Sequence, residues 1–166
     1  MKVTYDTKET YYTPKKDRYL FRGKSPYDTD TGLKAGDWIT GSLELYETKD
    51  KNTGEMQCFH FIKPIDVMHV YDSYGGKRCT VEPWSVSQCT GLRDKNGTLV
   101  FIGDIVSCSR GCPHEVIWMH ERDGMFIGGM PGVYLSGLKP GYAWTGTEEV
   151  VGNKWDNPEL LENGGE

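Results

Sequence analysis

The sequence has no long apolar run. None of its stretches approaches the roughly 18 consecutive apolar residues that a membrane-spanning helix requires. The opening residues, from Met1 to Asp6, lead into polar sequence and not into the apolar segment of a secretory leader. We therefore predict that the protein has no membrane partner and lies in the cytoplasm.

The chain also lacks an even number of cysteines. It has five, which are Cys58, Cys79, Cys89, Cys108 and Cys112. An odd set without a leader is typical of reduced thiols in the cytoplasm, whereas disulfide frameworks belong to oxidising compartments. At 166 residues the chain can bury about 68–70% of its unfolded surface, so it needs no such staples to fold.

An excess of positive charge is missing as well, because the formal net charge is −5. A net negative chain repels phosphate at long range, which disfavours non-specific binding to nucleic acid. One local run nevertheless places basic groups beside aromatic rings that could stack on bases. This candidate nucleic-acid patch consists of Lys15, Lys16, Arg18, Tyr19, Arg22 and Lys24. The alternative is a solvated strand face that packs through Leu20.

Sustained helical periodicity is absent, while glycine and aromatic residues are frequent. This combination favours short strands joined by tight turns. Turns are predicted at residues 52–54, 74–77, 94–97 and 123–124. Strands are predicted at residues 19–21, 42–48, 56–62, 65–71, 78–81, 92–93, 99–102, 115–119 and 125–127. Many short strands with almost no helix predict a barrel or a sandwich.

Helix is predicted only near the end of the chain. Asn157 is a suitable N-cap, Pro158 suits the first helical position, and Glu159 places an acid in the first turn. Residues 163–164, Asn-Gly, end this helix after one or two turns. A further short turn is predicted at residues 83–84.

Two stretches of the chain echo each other. Residues 36–39 and 103–106 both read Gly-Asp followed by two apolar residues. This pattern is typical of a tight turn into a core strand, with the Asp side chain bound to local backbone amides. The repeat suggests two packed β units that divide near Pro83. We predict an N-terminal extension at 1–17, an N-terminal β unit at 18–82, and a C-terminal β unit at 83–166 that ends in the short helix.

Catalytic motifs are missing from the sequence. No Gly-x-Ser-x-Gly occurs, and the glycine-rich residues 128–132 lack the Lys-Ser/Thr continuation of a phosphate-binding loop. Asp37 and Asp104 are the carboxylates most suited to acid–base chemistry, but each follows a glycine at the start of a predicted strand, which favours a structural role. We predict no enzymatic activity, no catalytic residue and no cofactor.

The densest group of metal-ligand residue types is Cys108, Cys112 and His114. Two thiolates and an imidazole could fill three corners of a tetrahedral zinc site, with Cys89 or His120 as the fourth ligand. However, the three residues between the cysteines fit no standard paired knuckle. We favour a loop with incidental thiols and predict no metal, with a metal site and a reversible Cys108–Cys112 disulfide as the alternatives.

Several motifs resemble those of the YopX family. Two are long, at residues 88–97 (QCTGLRDKNG, followed by GDIV at 103–106) and 149–161 (EVVGNKWDNPELL), and two are shorter, at 18–24 (RYLFRGK) and 38–43 (WITGSL). The chain departs from the family pattern at Cys89, where an aromatic residue is usual, and at Lys154, where an apolar one is usual.

The resemblance implies an origin in bacteriophages or prophages of Gram-positive bacteria and a family without an assigned active site. It also implies a β-rich fold with an SH3-like barrel, which we place in the C-terminal unit. The predicted fold class is therefore mainly β, with two packed β units that include an SH3-like barrel and a short C-terminal helix.

Aromatic residues are also a signal of interaction. Five tryptophans and ten tyrosines exceed what a small core must hold, and aromatic side chains are enriched at protein interfaces. Open strand edges also invite pairing between copies. We predict a phage or prophage accessory protein of the bacterial cytoplasm that forms a homo-oligomer or binds a phage or host protein. The alternatives are a nucleic-acid-binding barrel of phage replication or regulation, and a zinc-containing protein that uses residues 108–114.

Overall fold

The structure, a computed structural model, describes residues 16–29, 32–65, 78–119, 121–122, 125–126, 132–137 and 144–162. The strands are β1 (Phe21–Lys24), β2 (Trp38–Lys49), β3 (Met56–Pro64), β4 (Cys79–Thr80), β5 (Ser87–Arg93), β6 (Leu99–Phe101), β7 (Asp104–Ser107), β8 (Pro113–Met119), β9 (Glu121–Arg122), β10 (Met125–Phe126), β11 (Gly132–Leu135) and β12 (Glu149–Asn153). The described part also contains 3-10 turns at Lys16–Tyr19 and Pro83–Ser85 and the helix α1 (Glu159–Glu162). None of its helices has the length and apolar character needed to span a membrane.

Among the described residues, the larger sheet has six strands in the order β4-β3-β2-β1-β5-β6, and all its neighbouring pairs are antiparallel. β1 lies at the centre, between β2 and β5, so the sheet takes strands from both sides of residue 83. The hairpins β2–β3 and β5–β6 turn at residues 52–54 and 94–97, which confirms both predicted turns.

The second sheet has four strands in the order β11-β8-β7-β12, and β9 pairs with β10 separately. Buried apolar side chains of the described residues form three clusters. They consist of Ile39, Ile62, Cys79 and Val81 at the larger sheet; Val100 of the larger sheet with Val106, Val116 and Leu135 of the second sheet; and Leu20, Cys89 and Phe101 near the 3-10 turn at Lys16–Tyr19. The second of these clusters therefore contains buried side chains from both sheets.

The mainly β class and the short C-terminal helix are confirmed. The SH3-like barrel is not confirmed, because the strand pairings among the described residues leave each sheet open. The division at residue 83 stays a prediction. Most of the predicted N-terminal extension, the predicted strand at 65–71 and the predicted turns at 74–77 and 123–124 fall on residues outside the described ranges, Ile65 apart.

The two Gly-Asp turns, at residues 36–37 and 103–104, share one geometry. The glycine of each has a positive φ, of 89° and 83°, which an L side chain rarely adopts. Oδ2 of Asp37 accepts a hydrogen bond from the Lys34 amide at 2.8 Å, and Oδ2 of Asp104 accepts one from the Phe101 amide at 2.7 Å. The first turn leads into β2 and the second into β7, so the predicted bond from local amides to both Asp side chains is confirmed.

Candidate functional site

The three candidate metal-ligand residues meet at the turn between β7 and β8. These strands pair with Val106 opposite His114, so two residues farther along, Cys108 and Cys112 face each other across the turn. The Cys108 amide donates to the Cys112 carbonyl at 3.0 Å, which holds them in that register. Since side chains two residues apart share a face of a strand, Cys112, His114 and Cys108 all project to one side.

The donor atoms of this thiol–imidazole cluster (Cys108, Cys112 and His114) are close together. The two sulfurs and one ring nitrogen lie within 4.8 Å of one another. Cys112 is exposed, Cys108 is half-buried, and His114 is only 8% exposed. The imidazole is therefore the buried side of the cluster, and Cys112 is the side that faces solvent.

The imidazole of His114 is held in one orientation. Its Nδ1 lies 2.8 Å from the Ser136 carbonyl oxygen. A carbonyl can only accept, so Nδ1 carries the proton and donates, and Nε2 of the neutral ring is left with a lone pair. Nε2 is buried and has no hydrogen-bond partner among the residues that the structure describes. An unpartnered buried nitrogen of this kind is costly unless something else binds it.

The thiol of Cys108 is more acidic than an ordinary cysteine. Burial acts to raise its pKa, but the Arg110 amide, His114 and Cys112 outweigh burial and lower the pKa of Cys108 to about 7. Much of this thiol is therefore present at neutral pH as thiolate, the form that binds metals and acts as a nucleophile.

The two residues predicted as a fourth ligand do not join this cluster in the described part of the chain. Cys89 is buried against Leu20 and Phe101, where the Gly91 amide lies 3.5 Å from its sulfur. Burial raises the pKa of its thiol, which makes Cys89 an inert core residue. His120 lies outside the described residues.

The candidate nucleic-acid patch is only partly described. Lys15 lies outside the described residues, and Lys16 and Arg18 belong to the first 3-10 turn, where the structure describes no side chain for either. Tyr19 is 64% exposed. Lys24 and Arg22 belong to β1, and both side chains are 13% exposed. The patch as a whole stays a prediction, but its two β1 members are engaged within the protein.

Arg22 is enclosed by aromatic rings and a buried carboxylate. Its guanidinium lies 4.5 Å from the Trp38 ring centroid and 4.7 Å from that of Phe101, and it forms an ion pair with Asp104. Burial raises the pKa of Asp104, and the charge of Arg22 and the Phe101 amide oppose that rise. This Arg22 cluster (Arg22, Trp38, Phe101, Asp104 and Trp155) joins the first sheet to the start of β7.

Lys24 is held in the same way by Asp156. The two form an ion pair, and the Trp38 indole nitrogen donates to Oδ2 of the same carboxylate at 2.8 Å. The Trp38 and Trp155 rings meet edge to face with centroids 5.4 Å apart. Partial burial acts to raise the pKa of Asp156, but hydrogen bonds from Lys24, Asn153 and Trp38 outweigh it and lower that pKa to about 2. Neither basic residue of β1 therefore has a free charge for a phosphate.

The other buried carboxylates are bound by backbone amides. Asp94, at the β5–β6 turn, accepts from the Thr98 amide at 2.8 Å and from the Val150 amide at 3.1 Å. Glu148 accepts from the Gly146 amide at 2.8 Å. Like Asp104, these acids organise turns and the starts of strands, a use that leaves their oxygens occupied.

The β2–β3 hairpin carries apolar side chains into solvent. We call its outer part, residues 44–61, the hairpin arm. Leu45 is 58% exposed, Tyr46 54%, Met56 66% and Phe59 40%. Tyr46 lies directly opposite Phe59 in the register, while Leu45 and Met56 share the other face. Large apolar groups on both faces of one ribbon are unusual for a surface that only meets water.

Sequence reasoning found the strands of the hairpin arm but missed its exposure. Strand length could have indicated this exposure, because β2 has 12 residues and β3 has nine. Among the described residues, β2 contributes Ile39 and Leu43 to the core and no later residue. Apolar residues that continue along a strand beyond its core contacts predict a second interaction surface. The thiol–imidazole cluster could likewise have been predicted by counting the register outward from the turn at residues 109–111.

Comparison with known families finds a match. The sequence model of the family described as YopX protein matches residues 35–162, which is more than half of the chain. A search of curated protein sequences finds no match.

Proposed function

This chain belongs to the YopX family, and from that premise we propose that it is a non-enzymatic accessory protein of a phage or prophage. It acts in the cytoplasm of the host by binding protein, and its first partner is a second copy of itself. The exposed apolar surface of the hairpin arm is the observation that carries this proposal.

The arm is suited to pairing with another arm. Both faces of the arm carry large apolar groups, so packing against the rest of the same molecule would cover one face at most. The arm of a second copy, antiparallel to the first, would cover one face of each arm. The arm also carries charges of both signs, Glu47 and Glu55 beside Lys49 and Lys51, which is the arrangement that an antiparallel copy can complement.

The described carboxylates support a non-enzymatic role. Asp104, the acid most suited by sequence to proton transfer, has one oxygen on Arg22 and the other on the Phe101 amide. General acid–base work needs a carboxylate that can reach a substrate proton. Asp104 is committed to the fold instead.

Light scattering coupled to size exclusion tests the proposal. We expect the wild-type protein to be oligomeric and the double variant Leu45→Lys/Met56→Lys to be monomeric. Each apolar side chain buried at an interface contributes about 2 kcal/mol, and a dimer of the double variant loses four of them, so association should weaken by roughly 10⁵-fold or more.

Trp84→Lys is the matched control. Trp84 is also large, apolar and 59% exposed, but it lies in the 3-10 turn at Pro83–Ser85 and not on β2 or β3. This variant should assemble as the wild type does. A wild-type protein that stays monomeric at every concentration, or a Trp84 variant that dissociates as readily as the arm variant, would contradict self-association through the arm.

A further inference from the structure

We propose that Cys108, Cys112 and His114 bind one zinc ion at the turn between β7 and β8, with water in the fourth position. The inference is independent of the hairpin arm, which lies on other strands. It adds a metal site to a protein whose interaction surface is elsewhere.

The first argument is the placement of the donors. The hairpin register sets Cys108 opposite Cys112, and the two-residue period of β8 puts His114 on the same face. Zinc bonds of about 2.3 Å to sulfur and about 2.0–2.1 Å to nitrogen place tetrahedral donor atoms about 3.5–3.8 Å apart. The three donors already lie within 4.8 Å of one another, so side-chain shifts of about 1 Å complete the site.

The second argument is the state of His114. Its Nδ1–H donates to the Ser136 carbonyl at 2.8 Å, which is the support that a metal-bound imidazole characteristically has. Because Nδ1 is used in that bond, Nε2 is the ring nitrogen that can bind a metal. The side chain is only 8% exposed, and in the described part of the chain Nε2 has no hydrogen-bond partner, so a metal ion would satisfy it.

The third argument is the chemistry of the donor set. Thiolate and imidazole are ligands that zinc prefers, whereas magnesium, calcium and manganese prefer oxygen. Two thiolates also balance the charge of one divalent cation. Because Cys112 is exposed, the fourth corner of the tetrahedron opens to solvent, where water can bind.

The experiment measures zinc in the full-length protein. Protein purified with reductant and zinc is dialysed extensively, and metal per chain is determined by mass spectrometry. We expect one zinc per wild-type chain. Cys112→Ser should bind zinc at least ~100-fold more weakly, since it loses a ligand and not only a supporting contact.

Cys58→Ser is the matched control, because Cys58 is an exposed cysteine on β3 outside the cluster. It should retain one zinc. Wild-type protein without stoichiometric zinc overturns the proposal, and so does equal zinc in the Cys112 and wild-type proteins. A Cys108–Cys112 disulfide that persists in protein purified with zinc overturns it as well.

Cobalt substitution gives a readout that does not depend on a variant. Co²⁺ added to the wild-type protein should give the visible absorption of a tetrahedral site together with a thiolate charge-transfer band. Zinc should then displace it, and the melting temperature should rise by several degrees with zinc and fall again with a chelator. Cobalt in an octahedral, oxygen-only environment would contradict the assigned ligands.

Discussion

The turns at residues 36–37 and 103–104 share a Gly-Asp pair and a glycine with a positive φ, but their surroundings differ. Asp37 is exposed, whereas the Asp104 side chain is 1% exposed and ion-paired with Arg22. Each accepts one hydrogen bond from the amide three residues earlier. The local sequence thus builds the turn in both places, and the tertiary packing decides how much stability depends on it.

Arg22 links the two turns in space. Trp38, the first residue of β2, stacks on the Arg22 guanidinium that pairs with Asp104 at the start of β7. Trp155, which follows β12, packs edge to face on Trp38. The repeat is therefore not a pair of independent copies, because the second turn is enclosed by a residue that follows the first.

Removal of the Asp104 side chain should produce the largest difference between the turns. Asp104→Ala leaves the buried Arg22 charge without its partner and the Phe101 amide without an acceptor. A broken buried ion pair costs about 3–5 kcal/mol, and we expect a loss of that size in the free energy of unfolding. Urea denaturation followed by tryptophan fluorescence measures it.

A second variant separates the stranded charge from the lost packing. Arg22→Met combined with Asp104→Ala removes both charges and keeps an apolar side chain between the rings of Trp38 and Phe101. It should recover part of the stability lost by Asp104→Ala alone. A double variant less stable than Asp104→Ala would show that the cost is not that of an unpaired charge.

The next largest difference should be in the stability lost when the glycine of each turn is replaced by alanine. A Cβ at Gly103 would lie 2.6 Å from the Trp155 ring, whereas one at Gly36 meets nothing within 4 Å. Both have a positive φ, so alanine at either costs about 1–2 kcal/mol of backbone strain. We expect Gly103→Ala to exceed Gly36→Ala by at least ~1 kcal/mol in urea denaturation, because only at 103 must an indole move.

Equal losses at the two glycines would mean that Trp155 does not pack on the second turn. A Trp155→Leu background provides the check. There the difference between the two alanine variants should shrink, since the ring that the added methyl group meets has been replaced by a smaller side chain.

Much of the local structure could be predicted from the sequence, because most of its causes are local. The Gly-Asp turns, the short helix after Pro158 and the bonds of Asp94 to the amides of Asn96 and Thr98 each involve residues a few positions apart. The Arg22–Asp104 pair could not be predicted, because its members are 82 residues apart and meet only when β1 lies between β2 and β5.

The same distinction applies to the candidate sites. Cys108, Cys112 and His114 were identified as a group because they are close in sequence, but the burial of His114 and its bond to Ser136 come from the end of β11, 22 residues away. For Lys24 and Arg22, sequence proximity to aromatic residues indicated a nucleic-acid patch. The structure instead brings the carboxylates of Asp156 and Asp104 to them from distant parts of the chain.

Low pH should destabilise the fold through Asp156, by less than the substitutions described above. The pKa of Asp156 is lowered from 3.8 to about 2, so its ionised form stabilises the fold above about pH 4, and that contribution is lost as the pH falls from about 4 to 2. Since the side chain is 38% exposed, solvent screening limits the contribution to about 1 kcal/mol.

Asp156→Asn isolates this contribution from that of other acids. The stability difference between wild type and variant, measured by thermal denaturation at several pH values, should be largest near neutrality and disappear near pH 2. A difference that stays constant across this range would show that Asp156 acts through its hydrogen bonds alone and not through its charge.

The smallest expected effect is at the first Gly-Asp turn itself. Asp37→Ala removes one hydrogen bond to the Lys34 amide, and water can replace it because Asp37 is exposed. We expect a loss of about 0.5 kcal/mol in urea denaturation, several-fold less than for Asp104→Ala. Equal losses for Asp37→Ala and Asp104→Ala would mean that the local hydrogen bond, which is common to the two turns, carries the energy. A small loss of stability for Asp37→Ala together with a large loss for Asp104→Ala would mean that the stabilising energy comes from the Arg22 cluster. Asp104 belongs to that cluster and Asp37 does not.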